Sequence, residues 1–247
     1  MNITFSVVIP CYNEEKYLGL LLEDLKAQTM QPHQVIVADS RSTDNTVAVA
    51  KTHGAGLKLQ IVSSKIRTPG AARNSGATQA TGNYIVFLDA DTRLYSRNFL
   101  KDLAAATENG TIDYITPLYT TDSKHPVDVT IIKMINLTIR KYKHKGEMLP
   151  GMGVVICVRR NLHEQVGGFD DHMPKENDLD YLRRLAAIKA SYKIATNLWA
   201  ESSSRRYRKY GRLVGTLNLV PTNSFAGKLI VYPTLKKLGK YKKYGTF

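Results

Sequence analysis

Cysteine is nearly missing: Cys11 and Cys157 are the only two in 247 residues. Each follows or sits within an apolar run, without the spacing of a metal knuckle or a disulfide framework, so both are expected to be small core fillers in a reducing compartment. No uninterrupted apolar stretch reaches the ~20 residues of a spanning helix. The nearest, 213–232, is interrupted by Pro221 and Lys228. The N-terminus, "MNITFSVVIPCYNEE", has no basic leader region, and acidic residues follow its short apolar run. No secretory signal is expected, and the expected location is cytoplasmic, with peripheral attachment at the cytoplasmic membrane face. Internal repeats and low-complexity linkers are also lacking. What remains, 43% hydrophobic and 23% charged residues, is the balance of a globular domain large enough to bury a core.

Acidic residues are scarce too, 21 against 35 Lys and Arg, for a formal net charge of +14. The excess is concentrated: from Glu201 to Phe247 there are eleven Lys/Arg and one Glu. Such a field attracts nucleic acid, anionic lipid and anionic substrates alike, and by itself does not choose among them. Within this tail "RRYRKYGR" and "KKLGKYKKYG" interleave basic residues with Tyr, which suits an anionic membrane surface. A soluble basic extension packing back on the domain is the competing reading.

Along the chain, "SVVIP" (6–10), "QVIVAD" (34–39), "LKLQIVSS" (57–64) and "NYIVFLDAD" (83–91) read as buried strands. Between them, 13–28, a segment from Asp44 to Gly54, and 69–82 read as helices. Asn13 is a candidate N-cap, with Glu14 and Glu15 in the first turn, and Gly54 suits a position just past a helix end. Near-continuous Val/Ile/Leu strands alternating with helices predict a parallel sheet covered on both faces, a Rossmann-like half. Further on, 112–119 and 153–160 read as strands, and 127–143 and 176–190 as amphipathic helices, the first basic, the second with Leu179, Leu182 and Leu185 on one side. The expectation is one catalytic-size α/β domain over 1–206, in two halves of about 1–111 and about 112–206. The basic C-terminal extension is 207–247.

In such sheets ligands bind at the carboxyl ends of the strands, which here read "PCYNEE", "ADSRSTD" and "LDADT". The last places Asp89 and Asp91 side by side. Two carboxylates there repel unless a cation lies between them, and hard oxygens suit Mg²⁺ or Mn²⁺. A cation held incompletely by protein can take phosphate oxygens in its remaining positions and neutralise a departing diphosphate. Solvated turn carboxylates are the bland alternative.

Five ordered segments speak against that alternative: "VVIPCYNEEKYLGLLLEDL", "VIVADSRSTDNT", "PGAARNSGATQATGNYIVFLDADT", "RRNLHEQVGGFDD" and "NDLDYLRRL". In order and spacing, over about residues 5–206, they resemble the family 2 glycosyltransferases. The resemblance implies a GT-A fold with a mixed, mostly parallel sheet flanked by helices. It also implies a nucleotide-diphosphate sugar donor, UDP favoured over GDP, a divalent metal (Mn²⁺ or Mg²⁺), and transfer with inversion at the anomeric carbon.

By that resemblance Pro10, Tyr12 and Asn13 line the nucleotide and Asp39 bonds the base. Arg73, with Asn74 beside it, lies near the diphosphate, Asp89 near ribose or metal, and Asp91 is the principal metal ligand. Arg205 and Arg206 match a Ser-X-Arg-Arg segment near the donor phosphates, although a solvated basic tail fits them equally. Arg41 departs from the family pattern after Asp39. Aligned through Arg184 and Leu185, "NDLDYLRRL" makes Asp178 the catalytic base, with Asn177 and Asp180 on the acceptor; an alternative register makes Glu176 the base. Acidic residues at a helix start also favour the helix dipole without catalysis. "GGFDD" (167–171) matches an acceptor-side loop, and the six histidines receive no role.

A hydroxyl acceptor needs a base and an isoprenyl phosphate does not, so Asp178 favours a hydroxyl on a glycan or lipid-linked acceptor. The alternatives are a polyisoprenyl-phosphate glycosyltransferase and an inactive nucleotide-sugar-binding protein. Nucleic-acid binding leaves the five motifs unexplained. Nucleotidyl transfer calls for a glycine-rich loop after the first strand, where this chain has "PCYNEEKYL".

Overall fold

Seven strands form one sheet: β1 (Phe5–Cys11), β2 (Gln34–Asp39), β3 (Leu59–Ser63), β4 (Tyr84–Leu88), β5 (Tyr114–Thr121), β6 (Val155–Arg159) and β7 (Tyr192–Ser202). The computed structural model describes residues 2–142, 148–173 and 176–205. The spatial order is β3-β2-β1-β4-β6-β5-β7. β6 runs antiparallel to β4 and β5; every other pairing is parallel.

Strand pleating sends neighbouring residues to opposite faces. Phe5, Val7 and Ile9 of β1 join one core with Leu18, Leu21, Leu22 and Leu25 of α1 (Leu18–Lys26). That layer also holds α2 (Thr46–His53), α4 (Phe99–Ala106) and α5 (Pro126–Arg140). Val8 faces the other core, with Ile36, Ile85 and Phe87. α3 (Pro69–Ala77), α6 (Arg160–Gln165) and α7 (Asn177–Ala187) cover that side. α3 lies so close to the sheet that a Cβ on Gly76 would clash with Val8 Cγ1. The fold is the expected mixed, mostly parallel α/β sheet between helices, and both cysteines are free and buried in it. Burial pushes both thiol pKa values up.

Several boundaries differ from expectation. α1 starts at Leu18 with Tyr17 as its N-cap, so Asn13 caps no helix. Asn13 instead adopts a left-handed backbone, φ 56°, and ties to Ser42 and Thr43 of the β2–α2 loop. α2 starts at Thr46, two residues past Asp44, and Gly54 has right-handed geometry, φ −81°. Glycine is required there for room: a Cβ would lie 2.5 Å from Ala50 O. α3 ends at Ala77 and β4 at Leu88, earlier than read, which leaves Asp89 and Asp91 on the connecting loop. α4, α6 and β7 had no counterpart in the sequence reading. The tail 207–247, including 213–232, lies outside the described residues; among the described ones no helix is long and apolar enough to cross a membrane.

Candidate active site at the strand ends

β1, β2 and β4 are parallel neighbours, so their C-terminal ends share one rim. Pro10 pairs with Ala38, and Asp39 ends β2 beside Cys11. Asp39 is buried, and its carboxylate accepts from Ser42 N at 3.0 Å and Ser42 Oγ at 2.5 Å. The next residue but one, Arg41, sits at φ 61° and donates to Lys65 O at 2.9 Å, which draws its side chain away along the neighbouring loop. Asn13 closes the rim from the β1 side: its Oδ1 accepts from Thr43 N at 2.8 Å and its N–H donates to Ser42 Oγ at 2.9 Å. Tyr12 is half-buried, with the Arg67 guanidinium 5.2 Å from its ring centre. Pro10, Tyr12, Asn13 and Asp39 therefore form one hydrogen-bonded or packed edge.

The loop after β4 carries Asp89 and Asp91, and each meets an arginine. Arg73 lies on α3 because Thr68 caps that helix, accepting from Ala71 N at 3.1 Å, and Pro69 opens it. Its guanidinium is buried and donates from Nη2 to Asp89 Oδ1 at 2.8 Å and to Gly153 O at 3.2 Å. From Nη1 it donates to Asn177 Oδ1 at 2.7 Å. Gly153 in turn donates its N–H to Asp178 Oδ2 at 2.9 Å. A Cβ at Gly153 would lie 2.6 Å from that oxygen, so only glycine lets the carboxylate approach. Asp89, Arg73, Gly153 and Asp178 thus form one connected chain across the two halves of the sheet.

Arg205 is the second arginine. Its Nε lies 2.7 Å from Asp91 Oδ2 as an ion pair, and its terminal nitrogens donate to the Glu14 carboxylate at 2.5 and 2.7 Å. The Tyr17 ring lies beneath it, 5.1 Å from its central carbon. Burial alone would lower the Arg205 pKa; the hydrogen bonds to Glu14 and the charge of Asp91 outweigh it and raise it. Glu14, read from sequence as a first-turn residue of α1, has this different task because the helix starts four residues later. Arg206 lies outside the described residues.

Asp178 and Asp180 both fall in the first turn of α7, and Asn177 is buried. Asp180 turns along the helix to Arg184 Nε at 2.9 Å. Arg184 also donates to Val166 O and Gly168 O, each at 2.6 Å, and so braces the "GGFDD" turn. Asn74 holds the same turn from α3, donating to Phe169 O and Asp171 Oδ1 at 2.7 Å and accepting from Phe169 N at 2.8 Å. Asp180 thereby supports the loop, whereas Asp178 lies on the Gly153 side of α7. His163 is buried among Phe87, Phe169 and Tyr181, its Nδ1 2.8 Å from Tyr181 Oη. Burial first, then the positive charge of Arg184, lower its pKa to about 4.

The donor set fits a hard divalent cation in one way. Asp89 and Asp91 present carboxylate oxygens, but among the described residues no third His, Cys, Asp or Glu completes a cage with them. They suit an ion that draws its remaining ligands from a phosphate-bearing molecule. Sequence reasoning missed Glu14 and Gly153. The acid pair before a helix whose leucines begin only at 18 was the available signal for the first; none existed for the second.

Residues 6–167 match the model of a protein family described as glycosyl transferase family 2. The chain is 36% identical over 107 residues to the amylovoran biosynthesis glycosyltransferase AmsB of Erwinia amylovora, covering 42% of this chain and 36% of that protein. It is 33% identical over 136 residues to the poly(ribitol-phosphate) beta-N-acetylglucosaminyltransferase TarS of Staphylococcus aureus, covering 53% of this chain and 21% of that protein. The aligned parts are thus well under half the length of these relatives. The structure of TarS 1–349 in complex with UDP-GlcNAc superposes with a TM-score of 0.64 at 23% identity, over 82% of this chain and 59% of that one. The mannosyltransferase PcManGT of Pyrobaculum calidifontis, in complex with GDP-Man and Mn²⁺, gives 0.63 at 20% identity, over 98% of this chain and 70% of that one. These likenesses show the GT-A fold.

Proposed function

The chain belongs to glycosyl transferase family 2, and from that premise we propose that it moves a sugar from a nucleotide-diphosphate sugar to a hydroxyl group of a glycan or lipid-linked acceptor, inverting the anomeric carbon. UDP is the favoured nucleotide over GDP. The observation that carries the proposal is the connected chain Asp89–Arg73–Gly153–Asp178, which fixes a donor-side carboxylate and a candidate base in one unit. Inverting transfer requires a base on the face opposite the leaving group, held at a set distance from the donor.

In this reading the edge formed by Pro10, Tyr12, Asn13 and Asp39 takes the nucleoside, and Asp39 accepts from the base. Asp89 and Asp91 would hold Mn²⁺ or Mg²⁺. When bound, the ion supplies positive charge against the negative charge that grows on the departing diphosphate. Arg73 keeps Asp89 oriented. Arg205 adds positive charge beside Asp91, and the sequence continues with a second arginine, Arg206. Asp178 takes the proton of the acceptor hydroxyl, and the turn braced by Asn74, Asp180 and Arg184, with Asn177, shapes the acceptor side. The location proposed is cytoplasmic, at the membrane face.

Calorimetric titration of UDP and GDP, with and without Mn²⁺, tests the donor half of this reading on wild type and Asp91→Ala. The expected result is metal-dependent binding of UDP that weakens at least about tenfold in the variant. Failure of both nucleotides to bind in the presence of Mn²⁺ would overturn it.

A further inference from the structure

α5 has two faces of opposite character. Its inner side is fixed by buried Ile132 and Ile139, and by buried Asn136, which pairs both ways with the Tyr119 backbone at 2.8 and 2.9 Å. Its single acidic residue, Asp128, is also buried and accepts from Ser123 Oγ at 2.5 Å. The outer side leaves Val127, Met134 and Leu137 exposed by 47%, 63% and 51%. At 100° per residue these three fall within about 80° of one another. Lys133 and Arg140 border them along one edge, with Lys124 and Lys141 at the helix ends, and all four are exposed. Beside the C-terminal turn, Trp199 of β7 is 42% exposed, with Arg140 6.0 Å over its ring.

We propose that this outer face of α5, together with Trp199, is a docking surface for an anionic lipid bilayer. Apolar side chains, a lone indole and basic residues with no exposed carboxylate on the helix are the chemistry of an interfacial helix. Fifteen residues span ~22 Å, too short to cross a bilayer and suited to lying along its surface. The charge also argues against other covers. Residues 206–247 carry ten Lys/Arg and no acid, so the tail repels this face and shares its preference for an anionic partner. Two copies of the face repel each other for the same reason. At its N-terminal end the helix follows β5 closely, and Asp122 between them accepts from Ser204 N at 2.6 Å, next to the Arg205 segment. A bilayer on this face therefore lies beside the rim. The inference goes beyond the donor reading, and its test involves no sugar transfer.

Trp199 is the only tryptophan, so its emission reports on this face alone. The experiment mixes the full chain with vesicles of phosphatidylcholine, or of phosphatidylcholine with phosphatidylglycerol, the latter also with brominated acyl chains. Sedimentation and Trp199 fluorescence are read for wild type and Met134→Glu/Leu137→Glu, with circular dichroism confirming that both are folded. The expected result is binding to anionic vesicles, with a blue shift and bromine quenching of Trp199, and binding at least about tenfold weaker in the double variant. Vesicle binding that leaves Trp199 unshifted and ignores the double substitution would assign the membrane contact to the tail and overturn the proposal. So would absence of binding, or a blue shift that tracks protein concentration without lipid, which would mark the face as a contact between copies.

Discussion

Arg205 Nε lies 2.7 Å from Asp91 Oδ2 while the same guanidinium grips Glu14, so the carboxylate proposed as the main metal ligand already faces a cation of the protein's own. A dication approaching Asp91 meets that charge. Two unit charges at ~4 Å interact by roughly 1 to 4 kcal/mol near a protein surface. Arg205→Ala is therefore expected to tighten Mn²⁺ binding to nucleotide-free protein about tenfold, read from the electron-spin resonance of free Mn²⁺. Transfer in the same variant is expected to slow about tenfold or more, because positive charge near the departing diphosphate is lost. Unchanged Mn²⁺ affinity would show that guanidinium and metal do not compete.

Asp178→Asn keeps an acceptor oxygen for the Gly153 N–H and removes only the capacity to take a proton. Nucleotide binding should be unchanged and kcat should fall about 10²- to 10⁴-fold. Gly153→Ala should lower kcat as well, since its methyl group displaces the carboxylate. If Asp178→Asn turned over at the wild-type rate, the acceptor would be a nucleophile already ionised, such as a phosphate.

Arg73 is buried and satisfies Asp89, Asn177 and Gly153 together. Its removal leaves those acceptors facing one another without a donor. Arg73→Ala is expected to cost about 3 kcal/mol of stability, measured by urea unfolding. Arg73→Lys should recover little of it, because one ammonium cannot reach partners arrayed around a planar fork.

The buried imidazole of His163 sets an acid limit. Its pKa is about 4 in the fold against 6.5 ordinarily, so the unfolded chain takes up the proton first. Stability is intact above pH 6.5 and falls as pH drops toward 4, by up to about 1.4 kcal/mol per pH unit. Unfolding curves across that range should be flatter in His163→Gln, which retains a partner for Tyr181 Oη and does not titrate. A wild-type slope persisting in the variant would place the acid sensitivity elsewhere.

Much of the rim was legible because it is local. Unbroken Val and Ile runs mark β1, β2 and β4 as buried strands, and strand direction alone puts Asp39, Asp89 and Asp91 at one rim. The links between distant segments were not legible: Arg205 meets Glu14 across 191 positions and Arg73 meets Asn177 across 104. β7 escaped notice because exposed Thr196, Asn197 and Trp199 interrupt its apolar pattern, and its register against β5 shifts at Pro117 and Leu118. Asn13 deceived in a specific way, since a residue that favours helix caps also favours the left-handed turn it adopts here.

The one reversed strand has a consequence for how such a chain can change over generations. β1, β2 and β4 finish at the rim, and loops depart from it; β6 starts there, with Val155 opposite Leu88 and Val154 O accepting from Asp89 N at 3.1 Å. A connection that arrives at a fixed strand can be lengthened or rewritten at its far end while its near end stays pinned. With the donor on this rim as proposed, the segment before Gly153 can vary while the strand ends that carry Asp39 and Asp89 stay in place. Inheritance of the rim and invention of the segment that feeds it are separable in this topology.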